Sequence, residues 1–363
     1  MAHLVLNELT KRFGPVTAVD QVTLDIEEGE FFLLLGPSGC GKTTCMRLIA
    51  GLERATSGNI SIAGKNVTNL APRERNVAMV FQDYALYPHM SVLDNIGYPL
   101  KVRGVPRRQL VERVESVGQS LQLGGLLDRR PAQLSGGQQQ RAAVGRAVVH
   151  HANVFLFDEP LSNLDAKLRH EARAFLKRLQ RDLGVTTIFV THDQAEAMAL
   201  ADRIGIMNEG RIVQVGTPTQ VYRKPETTFV AGFIGSPPMN LIPGRVEFSS
   251  ERAQLRIADA TVDVTAIRRK LLEAIEDGEA LTVGIRPEHV SLDAGASGHI
   301  AADVYAVQPL GPEVLITVSL NDELISIKLF TDEPPDLQGQ VEIALDPSRL
   351  YLYREDGNLA VAP

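Results

Sequence analysis

The sequence has little cysteine and no long apolar run. Its 363 residues include two cysteines, Cys40 and Cys45, which are too few for a disulfide framework and lack the spacing of zinc ligands. No apolar run approaches the roughly 20 residues that cross a bilayer. Residues 1–10 alternate like a β-strand and lack the apolar core of a signal peptide. These absences favour a reducing, cytosolic compartment, and any membrane role must go through separate partner chains.

Basic residues are also in short supply. Lys and Arg number 37 against 44 Asp and Glu, which gives a formal net charge of −7, whereas a nucleic-acid-binding domain is expected to carry a basic face. We therefore expect no nucleic-acid partner. Hydrophobic residues make up 44% and charged residues 22%, as is typical of globular proteins, and the chain is long enough for two or three domains.

One glycine-rich turn lies between an apolar run at 31–35 and a helix-compatible stretch at 44–52. Its spacing matches the phosphate-binding pattern G-x-x-x-x-G-K-[ST], with Gly36, Pro37, Ser38, Gly39, Cys40, Gly41, Lys42 and Thr43 in order. Glycines let backbone N–H groups approach phosphate oxygens, and the following helix, from Thr44, adds the positive end of its dipole. Lys42 can reach the β- and γ-phosphates of a nucleoside triphosphate, and Thr43 can bind Mg²⁺. The flanking strand and helix disfavour a turn that binds nothing.

A second glycine cluster opens another helix, predicted at 138–149. It comprises Ser135, Gly136, Gly137 and Gln138 within the segment 134–141, and such a helix start is a second candidate anion site. One triphosphate uses both sites only if they face each other. Either the chain folds round itself, or two copies meet head to tail.

Polar side chains follow the apolar runs predicted as strands. Asp158 and Glu159 follow the run 154–157, where open α/β sheets bind ligands; we expect Asp158 to join the Mg²⁺ shell and Glu159 to orient or deprotonate water. His192 follows the strand 186–190 and is either structural or a γ-phosphate contact. Gln82 ends the strand 77–81. Phe13 is either a core residue or a ring against which a base stacks.

Proline and glycine become frequent after Val213, and the hydrophobic period changes to two. We place a domain boundary near 235, with a nucleotide-binding domain at 1–235 and a β-barrel domain at 236–363. Short strands are predicted within 255–264 and at 281–285, 314–318, 325–329 and 341–345. Within the first domain, residues of about 84–150 are expected to form a helical subdomain.

Taken together, residues 3–235 resemble the ATP-binding subunits of ABC transporters, and the segment 134–141 is similar to the signature of that family. The resemblance implies an α/β P-loop NTPase fold with a RecA-like core and a helical subdomain. It implies that Gln82 contacts Mg²⁺, that Asp158 and Glu159 form the acidic pair, that Asp165 belongs to the D-loop, that His192 is the switch histidine and that Phe13 stacks on adenine. Lys42 and the glycine cluster at 135–138 then contact ATP.

The last third is similar to the maltose-importer type of carbohydrate importers, through the segments 235–240 and 284–289. That resemblance implies a C-terminal regulatory domain of OB-like folds, a homodimer, two transmembrane permease subunits and an extracytoplasmic substrate-binding protein. It implies a peripheral place on the cytoplasmic face of the membrane, where residues 84–101 help to dock the permease. We expect a sugar such as trehalose, maltose or another oligosaccharide; glycerol phosphate, polyamine, iron and sulfate remain alternatives, and a soluble repair or translation ATPase is a distant one.

Overall fold

A computed structural model of the chain describes residues 2–150, 152–292, 299–321 and 323–363. By their contacts these residues form two compact units, 1–218 and 219–363. The boundary predicted near 235 and the limits of a helical subdomain at about 84–150 stay predictions. None of the helices within these ranges combines the length and apolar character that a membrane span requires.

The first unit mixes helices with strands in the order expected for an α/β fold. Its strands are β1 (Ala2–Phe13), β2 (Val16–Glu27), β3 (Phe31–Leu35), β4 (Ser57–Ile62), β5 (Lys65–Asn66), β6 (Val77–Val80), β7 (Val154–Asp158), β8 (Thr186–Thr191), β9 (Arg203–Asn208) and β10 (Arg211–Gly216). Its helices are α1 (Lys42–Ala50), α2 (Val92–Val102), α3 (Arg107–Ser120), α4 (Gly136–Val148), α5 (Ala166–Leu183) and α6 (Gln194–Leu200).

A six-stranded sheet in the order β10-β9-β3-β8-β7-β6 organises this unit. Its strands pair in parallel except at β10–β9. Every residue of β3 and β8 is buried, as strands of a parallel sheet covered on both faces should be, which confirms the predicted buried runs. Because β3, β8 and β7 are neighbours and parallel, the segments that follow them meet at one edge of the sheet.

A second sheet and a group of three helices complete the first unit. The strands β2, β1, β4 and β5 form an antiparallel sheet in that order. The helices α2, α3 and α4 share a hydrophobic core to which Ile96, Leu110, Val114 and Leu121 contribute. The apolar residues of α3 are spaced three or four apart, so that one face of the helix packs into this core.

The second unit is mostly β-structure, as predicted. Its strands are β11 (Asn240–Phe248), β12 (Ala253–Ile257), β13 (Ala260–Asp263), β14 (Ala280–Ile285), β15 (Val290–Ser291), β16 (His299–Pro309), β17 (Val314–Leu320), β18 (Glu323–Leu329), β19 (Gln340–Leu345), β20 (Tyr351–Tyr353) and β21 (Leu359–Val361). They form two sheets, with the orders β13-β12-β11-β14-β20-β21 and β15-β19-β16-β17-β18, which enclose one hydrophobic core. The predicted run at 255–264 is divided between β12 and β13 by a hairpin at Ala258, whose φ is 48°.

Three helices, α7 (Pro218–Arg223), α8 (Thr228–Phe233) and α9 (Arg268–Ala274), accompany these strands. The buried Arg286 explains why the segment containing α7 and α8 belongs to this unit. Its guanidinium donates to the carbonyl oxygens of Ile234 and Tyr222 and lies 4.0 Å from the Tyr222 ring centroid. A charge taken out of water needs such partners, so burial of Arg286 fixes the segment against β14.

Candidate nucleotide site

The phosphate loop connects β3 to α1 and packs closely against the strands beside it. A Cβ on Gly41, whose φ is 108°, would lie 2.2 Å from the carbonyl oxygen of Ala18. A Cβ on Gly36 would lie 2.2 Å from the carbonyl oxygen of Met207. Glycine is therefore required at both positions, because no side chain fits there and Gly41 also needs the left-handed backbone.

Lys42 begins α1 and is 6% exposed. Its Nζ donates to the carbonyl oxygens of Gly36 at 2.8 Å and Pro37 at 2.9 Å, and lies 3.7 Å from the Sγ of the buried Cys40. An ammonium group has three donors and no acceptor. The charge of Lys42 is thus held inside the loop, where a phosphate oxygen can replace a carbonyl.

A cavity of about 220 Å³ lies over this loop. It is lined by Ala18, Ser38, Gly39, Gly41, Lys42, Thr43, Thr44 and Glu159. The sequence predicted all of these except Ala18. Ala18 lies on β2 and belongs to no motif that would mark it as a site residue. Cys40 belongs to the predicted loop but is packed in the hydrophobic core.

Asp158 and Thr43 meet across the edge of the six-stranded sheet. The Thr43 hydroxyl donates to Asp158 Oδ1 at 3.1 Å. Burial raises the pKa of Asp158, the bond from Thr43 lowers it, and the neighbouring charge of Glu159 raises it. A hydroxyl and a carboxylate are both hard oxygen donors of the kind that Mg²⁺ prefers, so the pair fits the predicted metal position.

Glu159 lies between that pair and the end of β8. Its Oε2 is 3.2 Å from the Nδ1 of His192, and its backbone N–H donates to the carbonyl oxygen of Val190 at 3.0 Å. The φ of Glu159 is 46°, a left-handed conformation that costs a non-glycine residue roughly 1–2 kcal/mol. Strain of this kind concentrates at functional sites. The structure therefore brings together the two polar strand ends that the sequence singled out.

Three other predicted residues do not line the cavity. Gln82 is exposed after β6, and its carbonyl oxygen accepts from Asn163 Nδ2 at 2.9 Å. Asp165 caps α5 by accepting from the N–H of Leu168 at 2.9 Å. Phe13 is 46% exposed, with Lys11 Nζ 4.5 Å from its ring centroid. An exposed ring excludes the core interpretation and leaves the stacking one.

The second glycine cluster is not part of the cavity lining. Ser135 caps α4: its N–H donates to Gln138 Oε1 at 3.0 Å, and its hydroxyl accepts from the N–H of Gln138 at 3.4 Å. A Cβ added to Gly136 would contact Leu164, and one added to Gly137 would contact Leu168, residues on either side of Asp165, the N-cap of α5. The chain does not fold round itself to unite its two anion sites, which leaves the two-copy alternative.

A prediction follows from the cost of ionising Asp158. Because its folded-state pKa is raised, the stability that this carboxyl contributes is complete below its unfolded-state pKa, is lost as the pH rises through its folded-state pKa, and is absent at neutral pH. We expect Asp158→Asn to raise the melting temperature of the nucleotide-free chain at pH 7 by about 2–4 °C, and to abolish further stabilisation by Mg²⁺ with ATP. Calorimetry checks both. Asp128→Asn, at an exposed position, is the control, and a lowered melting temperature contradicts the expectation.

Comparison with known proteins agrees with this geometry. The family model described as ABC transporter matches residues 19–162, the MalK OB fold domain matches 235–290 and the TOBE domain matches 283–352. The chain is 47% identical over 353 residues to the sulfoquinovosyl glycerol transport ATP-binding protein SmoE of Agrobacterium fabrum, covering 97% of this chain and 98% of that protein. It is 49% identical over 359 residues to the sn-glycerol-3-phosphate import ATP-binding protein UgpC of Cupriavidus necator, covering 98% of each.

A solved structure supports the same assignment. The ATP-binding cassette MJ0796, in a dimeric post-hydrolysis state bound to ADP and Pi, is similar with a TM-score of 0.53 and 30% identity. The match covers 59% of this chain and 98% of that one. These findings confirm the predicted P-loop fold and the C-terminal all-β module. The chain therefore belongs to the ABC transporter family and is an ATP-binding ATPase of its importers, with a MalK-type OB fold and a TOBE domain.

Proposed function

We propose that this ATPase acts as a homodimer at the cytoplasmic face of the membrane and drives two permease subunits that import a small hydroxylated solute. The observation that carries the proposal is the meeting of Thr43, Asp158, Glu159 and His192 beside the phosphate loop. It joins groups suited to a metal, a water and a γ-phosphate at one edge of one sheet. Phosphate release from ATP by the purified chain tests it, with loss of release expected when Mg²⁺ is removed.

In this proposal Thr43, Asp158 and Gln82 would hold Mg²⁺. The ion would supply positive charge that neutralises the charge on the β- and γ-phosphates. Lys42 exchanges a loop carbonyl for a phosphate oxygen, and the N–H groups of the loop bind the remaining oxygens. Phe13 stacks on the adenine. Each of these contacts orients the triphosphate for attack.

The hydrolytic step itself is assigned to Glu159. A water oxygen forms a bond to the γ-phosphorus, its proton passes to the Glu159 carboxylate, and the bond from that phosphorus to the bridging oxygen breaks, leaving ADP. His192, 3.2 Å from Glu159 Oε2, holds the carboxylate before the reaction. Its side chain is exposed and is then available to contact the γ-phosphate.

The second copy supplies the other half of the site. The capped start of α4 presents Ser135, Gly136, Gly137 and Gln138 at a surface away from the chain's own cavity. A helix N-terminus attracts anions, so this surface suits the γ-phosphate of ATP bound to a partner. Asp165, which is exposed and caps α5, is assigned to the contact between the two copies. The dimeric state of the MJ0796 neighbour supports this arrangement.

A groove of about 570 Å³ on the first unit suits the permease. It lies between the edge strand β6 and the helices α2 and α4, and is lined by Val77, Met79, Tyr98, Pro99, Val102 and Ala147 with basic residues at its rim. Val102 is 69% exposed. Large exposed apolar patches mark interaction sites, and this one includes part of the segment 84–101 predicted to dock the permease. Val77, Ala78 and Met79 of the groove belong to β6, and Gln82 follows that strand two residues after its end, which would link the groove to the nucleotide.

Val102→Asp tests this docking surface. We expect the variant to bind ATP like the unchanged chain but to lose about 90% of its co-purification with the permease, because a buried carboxylate without a partner is costly at an interface. Leu183→Asp, at a position 39% exposed on α5, is the matched control. Equal recovery of the permease by both variants contradicts the assignment.

We propose the class of solute from the names of the relatives. SmoE is named for sulfoquinovosyl glycerol and UgpC for sn-glycerol-3-phosphate, which supports a glycerol-containing solute, an alternative raised above, over trehalose or maltose. Uptake of labelled glycerol phosphate and maltose by cells carrying the chain with its co-encoded permease and binding protein distinguishes them. Uptake of maltose alone, lost on deletion of this chain, would restore the sugar prediction.

A further inference from the structure

The guanidinium of Arg75 is buried against the C-terminal end of α1, the helix whose other end opens the phosphate loop. Arg75 is 4% exposed. Its Nη1 donates to the carbonyl oxygens of Leu48 at 2.7 Å and Ile49 at 3.0 Å. Its Nε donates to Leu70 O at 2.9 Å, and its Nη2 to Thr68 O at 2.8 Å. The side chain therefore closes the end of α1 and ties it to the turn at 68–70.

No carboxylate among the described residues forms an ion pair with Arg75. Burial lowers the pKa of its guanidinium, but arginine stays protonated in proteins. The last carbonyl groups of a helix lack partners within the helix and carry a partial negative charge. Arg75 thus places a full positive charge on the negative end of α1.

The backbone around the guanidinium is shaped to admit it. Gly51 follows α1 in the left-handed conformation, with a φ of 78°. A Cβ there would lie 2.6 Å from Arg75 Nε. Gly51 therefore both ends α1 and leaves room for the guanidinium, so the fold fixes the position of the charge.

We propose that Arg75 is a positioning residue of the nucleotide site and acts through α1. The inference rests on the proposed placement of the phosphates at the loop. Helix α1 has nine residues and spans about 13 Å, so Arg75 touches no part of the nucleotide. Its charge cancels the negative pole of the helix and leaves the positive pole at Lys42 to act on the phosphates, through an interior that screens charge weakly.

The test compares ligands of different charge. We expect Arg75→Gln to weaken MgATP binding about tenfold and MgADP binding about threefold, and to leave adenosine binding unchanged, because the lost attraction scales with the charge of the ligand. Arg75→Lys keeps the charge and should restore MgATP affinity to within about twofold. Arg73→Gln, an exposed neighbour, is the control. Titration calorimetry gives all the affinities, and thermal melting of each variant checks its fold.

The possible outcomes separate this inference from the proposed function. Equal weakening of all three ligands by Arg75→Gln would show a purely structural role and overturn the inference. If that variant does not fold, the lysine variant decides: the inference requires an unchanged ratio of MgATP to MgADP affinity, and a changed ratio overturns it. Failure of the unchanged chain to bind ATP would instead contradict the proposed nucleotide site.

Discussion

Glu159→Gln is expected to lower the rate of ATP hydrolysis by about 10²–10⁴-fold and to leave ATP affinity nearly unchanged. The amide keeps the shape of the side chain and its place beside His192, but cannot accept the proton of the attacking water. The contacts proposed for Lys42 and Thr43 with the triphosphate do not involve this group. Single-turnover phosphate release and equilibrium ATP binding measure the two effects separately.

The same variant should accumulate as a dimer that depends on Mg²⁺ and ATP. The start of α4 in each copy remains on the γ-phosphate held by the other, since hydrolysis no longer removes it. Ser135→Arg in the Glu159→Gln background should dissolve the dimer and spare ATP binding to each monomer. Light scattering with and without nucleotide distinguishes the two states.

Two results would count against these assignments. Hydrolysis by Glu159→Gln at the unchanged rate would remove Glu159 from the mechanism, whereas Glu171→Gln, exposed on α5, should have no effect. A Glu159→Gln chain that binds ATP tightly and stays monomeric would be compatible with Glu159 as the base. It would contradict the proposal that two copies close the site without the permease.

Lys42→Met carries the second large expected effect. The substitution keeps the length of the side chain but removes its charge and its bonds to the carbonyl oxygens of Gly36 and Pro37. A charged hydrogen bond in a weakly screened site is worth much more than a neutral one. We expect MgATP affinity to fall about 100-fold or more, and turnover to be lost, because the proposed bond from Lys42 to a phosphate oxygen orients the triphosphate.

A matched substitution controls for the loss of a lysine. Lys167→Met removes a charge from an exposed position on α5 and should leave both affinity and turnover intact. Titration calorimetry compares the two variants at the same Mg²⁺ concentration. If Lys42→Met binds ATP as well as Lys167→Met does, the nucleotide phosphates do not lie in the loop.

The sequence was sufficient for much of this site because its signals are local. A phosphate loop is a continuous pattern of glycines and a lysine, and the carboxylates and the histidine each end an apolar run. Parallel strands share one polar edge, so placing Asp158 near Thr43 required only that their strands lie close together. The structure shows β3 and β7 on either side of β8.

What the sequence did not reveal depends on packing between distant segments. Ala18 lies over Gly41 only because β2 passes the loop, and Arg75 is an ordinary charged residue until α1 ends against it. The left-handed backbone of Glu159 and the hairpin at Ala258 leave no residue signal, since neither position is a glycine. The bonds from Lys42 to the carbonyl oxygens of Gly36 and Pro37 depend on how the loop backbone folds, which the sequence pattern does not specify.

The most direct test of a site completed by a second copy is the ATPase activity of the unchanged chain as a function of its own concentration. A composite site predicts that activity per chain rises with concentration and reaches a plateau as dimers form, in parallel with the dimer fraction seen by light scattering. Constant activity per chain, maintained down to concentrations at which only monomers are present, would contradict the account.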